Sequence, residues 1–208
     1  VAFTAVIQLG SIAAVLGYFR RDLAEVSAGV ARAFRHGQWN DPPARLGLAI
    51  VLGTVPILLA GLAIKVLLPG YETSPLRSLT SIAIVSIVMA LLLAVAELVG
   101  RRRRLLEAVT PRDGLLVGLA QALALIPGVS RSGSTLTASL FDGWQRSDAA
   151  RFSFLLGIPA ITLAGLVELR AAFGSVETGG VIPMLVGIAA AAVVSWLAIA
   201  WLLRFLQQ

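Results

Sequence analysis

Gly114-Leu-Leu-Val-Gly-Leu-Ala-Gln-Ala-Leu-Ala-Leu-Ile126 is apolar for thirteen residues and then runs into Pro127-Gly-Val-Ser-Arg-Ser-Gly-Ser-Thr135. A second short apolar piece, Leu136–Phe141, follows. A spanning helix needs about 20 largely apolar residues, so neither piece can cross a bilayer alone. Together they predict a helix–loop–helix over residues 114–141 that enters the membrane and returns to the side it left. Non-helical backbone at membrane depth is tolerated only where it is buried or lines a wet cavity. The turn is therefore a candidate site.

Around this segment the chain alternates apolar runs with short polar loops. Phe3–Phe19, Leu46–Leu68, Leu79–Val99, Phe152–Leu169 and Val181–Leu206 are candidate spans, the second carrying Pro56 and Lys65, the third Glu97 and the fourth Pro159. Of the 208 residues 58% are hydrophobic and 13% charged, against about 45–50% and 25% in an ordinary soluble domain. That excludes a typical soluble enzyme and intrinsic disorder. The absence of cysteine excludes a disulfide scaffold and thiolate metal chemistry. A single histidine, His36, leaves no multi-histidine metal site, and in the Arg-rich loop it reads as a solvated side chain. The expected class is an all-α polytopic membrane protein forming one integral domain over 1–208.

The net charge of +6 rests on arginine, placed in short loops without aromatic interleaving, so nucleic acid is not an expected partner. Loops 20–45, 100–113 and 142–151 hold twelve arginines, whereas 69–78 and 170–180 hold only Arg77 and Arg170. Cytoplasmic loops carry the excess of basic residues. The alternation works only if 114–141 returns to the side it left, which assigns the Arg-rich loops to the cytoplasm. Within 20–45, Leu23, Val26, Val30 and Phe34 recur at helical spacing, as in an amphipathic helix at the interface. Thr110-Pro111-Arg112-Asp113 reads as a helix start, with a capping residue, a proline at the first position and an acid at the third. Leu52–Leu62 resembles Leu156–Leu166, a weak internal repeat centred on Pro56 and Pro159. Inverted repeats around broken helices are a common way to build a midplane site. The chain begins Val1-Ala2-Phe3 inside an apolar run and stops just after Trp196–Leu206, so it reads as a piece of a longer protein.

The turn has the composition of a phosphate cradle. Arg131 offers a planar fork of donors that matches phosphate oxygens in two-point contact. Gly128 and Gly133 let the backbone turn and approach a ligand, and Ser130, Ser132, Ser134 and Thr135 add hydroxyls. A short helix opening at about Ser134 would aim its free N–H groups at an anion. Two other readings stay open. The Ser and Gly residues could serve tight helix packing, with Arg131 paired to a buried acid such as Glu97. Gln121, six residues before Pro127, either faces the ligand or bonds a neighbouring helix. The turn is neither a Walker A loop nor a nucleophile elbow, because it lacks Gly-Lys-Ser/Thr and the closing glycine.

Gln121-Ala-Leu-Ala-Leu-Ile-Pro-Gly-Val-Ser-Arg-Ser-Gly-Ser-Thr135, followed by Ala150-Arg-Phe-Ser-Phe-Leu-Leu-Gly-Ile-Pro159, closely resembles the undecaprenyl-pyrophosphate phosphatase family, the bacitracin-resistance membrane proteins. Val6–Val15 and Ala96-Glu97 resemble it too, so the likeness covers essentially the whole chain. The resemblance implies hydrolysis of the terminal phosphate of a C55 isoprenyl pyrophosphate. That reaction recycles the lipid carrier for peptidoglycan synthesis, and with it cell shape and bacitracin resistance. It implies six spans and two re-entrant pairs in inverted repeats, in a bacterial inner membrane, with the site opening to the outer side. Arg131 and Ser130 would be catalytic, and Gly128, Ser132, Gly133, Ser134, Thr135 and Gln121 would bind substrate. A divalent cation, Mg²⁺ or Ca²⁺, is implied as well. Its ligands belong to a Glu-x-x-x-Glu and Ser-Ser-Thr-Gly-His signature that would lie upstream of Val1, and no metal ligand is expected within this chain. A homodimer stays open. The competing function is a carrier, a transporter or flippase for a lipid-linked phosphate using the same anion site.

Overall fold

The computed structural model describes residues 2–172 and 181–207. Among them the regular elements are all helical: α1 (Ala2–Tyr18), α2 (Arg20–His36), α3 (Pro42–Leu67), α4 (Leu79–Val99), α5 (Pro111–Ala122), α6 (Arg131–Phe141), α7 (Arg146–Ala172) and α8 (Val181–Phe205). Four stretches are long and apolar enough to cross a bilayer: Pro42–Leu67, Leu79–Val99, Arg146–Val167 and Ile182–Phe205. The fifth expected span, Phe3–Phe19, forms α1, which at 17 residues is shorter. The protein is an all-α polytopic membrane protein. The 170–180 loop falls largely outside the described residues.

The chain divides into two compact units, Val1–Ala24 with Ile158–Gln208, and Glu25–Gly157. In the first, α1 packs along α8. Ser195 donates to Ser11 at 2.9 Å, and the ring of Tyr18 meets Trp196 edge-on with centroids 5.3 Å apart. A hydroxyl pair between two otherwise apolar helices adds direction to contacts that dispersion alone leaves slippery.

In the second unit, α3 and α5 meet backbone to backbone. A Cβ at Gly114 would land on the backbone of Ala49, and one at Gly118 on that of Gly53. Ala49 and Gly53 are four apart, as are Gly114 and Gly118, so two small-residue stripes interlock. The expected amphipathic helix is α2. Its Val26 and Val30 reach Gly47 of α3, while Phe34 stays 75% exposed with its ring edge-on to Trp39 at 4.9 Å. Helix α4 is apolar all round and buries only Ala96. A helix of that composition with so little protein around it presents its side chains to lipid.

Helices α5 and α6 form a hairpin alongside α3 and α4. Thr110 accepts from the Asp113 N–H while Asp113 accepts from that of Thr110, a reciprocal cap followed by Pro111, as the sequence predicts. At 12 and 11 residues the two helices are each about 18 Å or less, short of the roughly 30 Å hydrocarbon layer. A 3-10 turn at Leu123–Leu125 and an extended Ile126 end the first; the residue before a proline avoids the helical region. Gly128 has φ +95°, and a Cβ there would also strike the Ile82 carbonyl of α4, so only glycine serves at this position.

The hairpin's two ends are fastened together. The N–H groups of Arg103 and Arg104 donate to the Gly143 carbonyl at 2.8 and 3.0 Å, and Gln145 N–H donates to the Arg104 carbonyl at 2.9 Å. Its tip lies beside the first two turns of α4, where Ser86 donates to the Gly128 carbonyl at 3.0 Å. Tyr71 donates to the Leu125 carbonyl at 2.8 Å.

Candidate functional site

Helix α6 begins at Arg131, three residues earlier than the sequence reading of a start at about Ser134. The reason is Ser130. With φ −71° and ψ 122° it is the N-cap, and its Oγ accepts from Gly133 N–H at 3.2 Å. A serine four residues further in would leave the preceding turn uncapped. Gly133 leaves room for this cap, since a Cβ on it would press to 3.1 Å from the Ser130 Cβ.

The first turn therefore presents Ser130, Arg131 and Ser132 together. The two serines are exposed, with hydroxyl oxygens 3.5 Å apart. Their hydroxyls and the N–H groups that open the helix ahead of Gly133 are donors of the kind an anion takes. Arg131 is half-buried and lies against Gly157 of α7; a Cβ there would sit 3.7 Å from its Cζ. Among the described residues nothing bonds or pairs with its guanidinium. Glu97 is engaged by Arg102 and Arg146 instead, so the alternative pairing of Arg131 with Glu97 is not made. A cation of this kind, drawn from water and left without a carboxylate, is a standing site for an anion.

Ser134 and Thr135 turn inward. Both hydroxyls donate to the Arg131 carbonyl, at 2.9 and 3.0 Å, and Thr135 also bonds Ser153 of α7. They hold the turn in shape, and Ser139 and Thr137 repeat the pattern further along the helix. Ser153 was not singled out in the sequence, though its place in Ala150-Arg-Phe-Ser-Phe was on view.

Gln121 of α5 has no exposed surface, and neither its Oε1 nor its Nε2 has a partner among the described residues. The interhelical hydrogen bond considered for it is absent. A buried amide left unbonded costs about 1–3 kcal/mol. It would be expected to persist where a polar ligand or water supplies what the protein does not.

At the other end of the hairpin, Arg104 bridges Asp113 at 2.6 Å and also pairs with Asp142. It lies 5.4 Å over the ring of buried Trp144, which stacks on Phe152. Burial works to raise the Asp113 carboxyl, but the bond from Arg104 and those from Thr110 outweigh it and hold it below the usual carboxylate range. Glu97, with Arg102 and Arg146, ties the end of α4 to the start of α7 in the same region. None of this staple was foreseen from the sequence beyond the capping residues.

The donors at the turn are hydroxyls, N–H groups and a guanidinium, a set suited to an anion and unsuited to Mg²⁺ or Ca²⁺. Among the described residues no group of three or more His, Asp or Glu side chains could hold a metal ion. The cation implied by resemblance thus does not fit the residues here.

Against known proteins the match is close. The family profile described as Bacitracin resistance protein BacA matches residues 1–208. The chain is 72% identical over 208 residues to the undecaprenyl-diphosphatase of Prochlorococcus marinus (strain MIT 9303), covering all of itself and 71% of that protein. It is 72% identical over 207 residues to that of Synechococcus sp. (strain RCC307), covering 72% of it. It is also 69% identical over 209 residues to that of Parasynechococcus marenigrum (strain WH8102), covering 73% of it. With the capped Ser130–Gly133 turn inside the matched range, the chain belongs to the bacitracin resistance protein BacA family.

Proposed function

We propose that this protein is an undecaprenyl-diphosphatase whose pyrophosphate head binds at the first turn of α6. The enzyme hydrolyses undecaprenyl pyrophosphate to undecaprenyl phosphate and phosphate: water adds to the terminal phosphorus and the bond to the bridging oxygen breaks. The carrier alternative is not favoured, since the relatives are named for hydrolysis. The observation that carries the site is Arg131, half-buried beside Ser130 and Ser132 and without a partner among the described residues. Its fork takes two phosphate oxygens, and charge gathering on the phosphoryl oxygens is met by a donor already in place. Ser130, whose oxygen is fixed by the Gly133 N–H, keeps its own proton to donate. Gln121 supplies buried amide donors below the turn.

The hairpin re-enters from the cytoplasmic side, where the Arg-rich loops and its fastened ends lie, and its tip opens the site toward the outer face of a bacterial inner membrane. What supports this is the joining of 103–104 to 143–145 and the nearness of the tip to the opposite end of α4. The test is phosphate release from an isoprenyl pyrophosphate by the protein expressed from its open reading frame, in detergent with Mg²⁺. Equal release of lipid monophosphate and phosphate is expected, and release that is unchanged in Arg131→Gln overturns the site.

A further inference from the structure

The turn between α5 and α6 does little to hold itself in place. Ile126 N–H donates to the Leu123 carbonyl at 2.9 Å and Val129 N–H to the Ile126 carbonyl at 3.1 Å, while Pro127 has no N–H to give. Among the described residues no backbone N–H donates to the carbonyls of Leu125 or Gly128, which lie on either side of Ile126 and Pro127. Each takes a side-chain hydroxyl from outside the hairpin instead. Tyr71, in the loop between α3 and α4, donates to Leu125 at 2.8 Å, and Ser86 of α4 donates to Gly128 at 3.0 Å.

Neither donor is there by default. Ser86 sits within apolar α4, where a serine commonly returns its proton to the carbonyl four residues back in its own helix; here the proton goes to the hairpin. The approach is close, since a Cβ on Gly128 would lie 2.6 Å from the Ile82 carbonyl oxygen and 3.2 Å from the Val85 Cβ. Tyr71 is itself held. Its N–H donates to the Leu68 carbonyl at 3.0 Å, its carbonyl accepts from Ser74 N–H at 3.2 Å, and the Arg77 guanidinium lies 5.8 Å over its ring. A carbonyl at membrane depth that loses its donor costs free energy, so the turn would shift to find another. From Leu125 the chain reaches Arg131 in six residues. There the hydroxyls of Ser134 and Thr135 hold the Arg131 carbonyl and leave its guanidinium to start from wherever the turn is fixed.

We propose that Tyr71 and Ser86 are positioning residues for the reaction: their two hydroxyls fix the first turn of α6, and through it the reach of Arg131 and Ser130 toward the pyrophosphate. The inference rests on the diphosphatase reading given above for the reaction it serves. Neither side chain needs to touch substrate. Misplacing a reacting contact by about 1 Å from a distance can cost about a hundredfold in rate. That cost should fall on kcat rather than KM, because Arg131 meets charge that develops in the transition state.

The test is a kinetic cycle on the protein expressed from its open reading frame, in detergent with farnesyl pyrophosphate and Mg²⁺. Tyr71→Phe keeps the ring and its contact with Arg77 and removes only the hydroxyl; Ser86→Ala removes the other one. Each should lower kcat about tenfold, and the two together about a hundredfold, with KM changed by less than about threefold. Ser86→Thr, which keeps a hydroxyl, should retain activity. In an Arg131→Lys background Tyr71→Phe should cost less than about twofold more, because the fork it positions is gone. A full tenfold loss in that background, or an unchanged kcat in both single variants, overturns the positioning role. Amide hydrogen exchange over residues 126–133 is followed by mass spectrometry on the same preparations. It should quicken about tenfold in the double variant while residues 111–120 exchange as before, and unchanged exchange at the turn also overturns the proposal. If the unaltered protein releases no phosphate, the diphosphatase reading fails, and the exchange still decides whether the two hydroxyls hold the turn.

Discussion

Arg104 donates to both oxygens of Asp113, at 3.2 and 2.6 Å, and pairs with Asp142 from the opposite end of the hairpin. One guanidinium thus closes the base of the α5–α6 pair. Asp113 is only 6% exposed, so Arg104→Met leaves its charge buried without its main partner. The expected loss is about 1–3 kcal/mol, read as a lower midpoint of thermal unfolding in detergent from the emission of Trp144 and its companions. An unchanged midpoint would mean the backbone bonds from 103–104 to 143–145 suffice alone.

The same pair sets an acid limit on stability. Because the folded state holds the Asp113 carboxyl below the usual carboxylate range, folding favours its ionised form. Its contribution is complete above the ordinary value, about 4, and is lost as pH falls through the folded value. Unfolding midpoints should decline below about pH 4, and the decline should be shallower in Asp113→Asn. Parallel pH profiles for the two proteins would remove Asp113 from the account.

Arg131→Lys keeps the charge and removes the fork. An ammonium cannot reach two phosphate oxygens with the same planar geometry. Loss of one well-placed donor to a developing oxyanion costs about a hundred- to a thousandfold in kcat. Phosphate release should fall by that order while the protein remains monodisperse on size exclusion. Near-normal release would show that charge alone is enough.

The hairpin and its caps were legible because they rest on local rules: Thr110-Pro111-Arg112-Asp113 is a helix start on its own terms, and thirteen apolar residues before Pro127 are too few to span. The start of α6 was misplaced because several hydroxyl residues in a row could cap, and only the backbone at Ser130 selects one. Residues distant in sequence were beyond reach. Nothing in Arg104, Asp142 and Trp144 shows that they meet, and Gly157 gives no sign that it lies under Arg131. The Gly114–Gly118 spacing was a usable signal for close helix contact, and it became specific only once Ala49 and Gly53 were seen opposite it.

That contact makes a sharp prediction. Gly118→Val would drive a branched side chain into the backbone of Gly53, costing about 1–3 kcal/mol or more. Gly61→Ala is the control in the same helix pair, because a Cβ there meets only Leu125 Cδ2 at 4.0 Å. The control should be neutral or gain up to about 1 kcal/mol from the stiffer chain. Equal unfolding midpoints for the two variants would show that α3 and α5 are free to separate.

Membrane orientation can be read with single cysteines, since the chain has none of its own. Arg103 precedes the hairpin and Ser147 follows it, while Thr73 lies in the loop between α3 and α4. Backbone bonds hold 103–104 against 143, so positions 103 and 147 must share a side whichever side that is. The arginine bias puts that side in the cytoplasm, and α4 then carries Thr73 to the other. A membrane-impermeant maleimide should label Thr73→Cys in intact cells, and Arg103→Cys and Ser147→Cys only after the membrane is inverted. Reversal of all three would overturn the charge argument and leave the hairpin intact. Labelling of Ser147→Cys from outside with Arg103→Cys protected would mean that residues 114–141 cross the membrane, and the re-entrant site would fall with it.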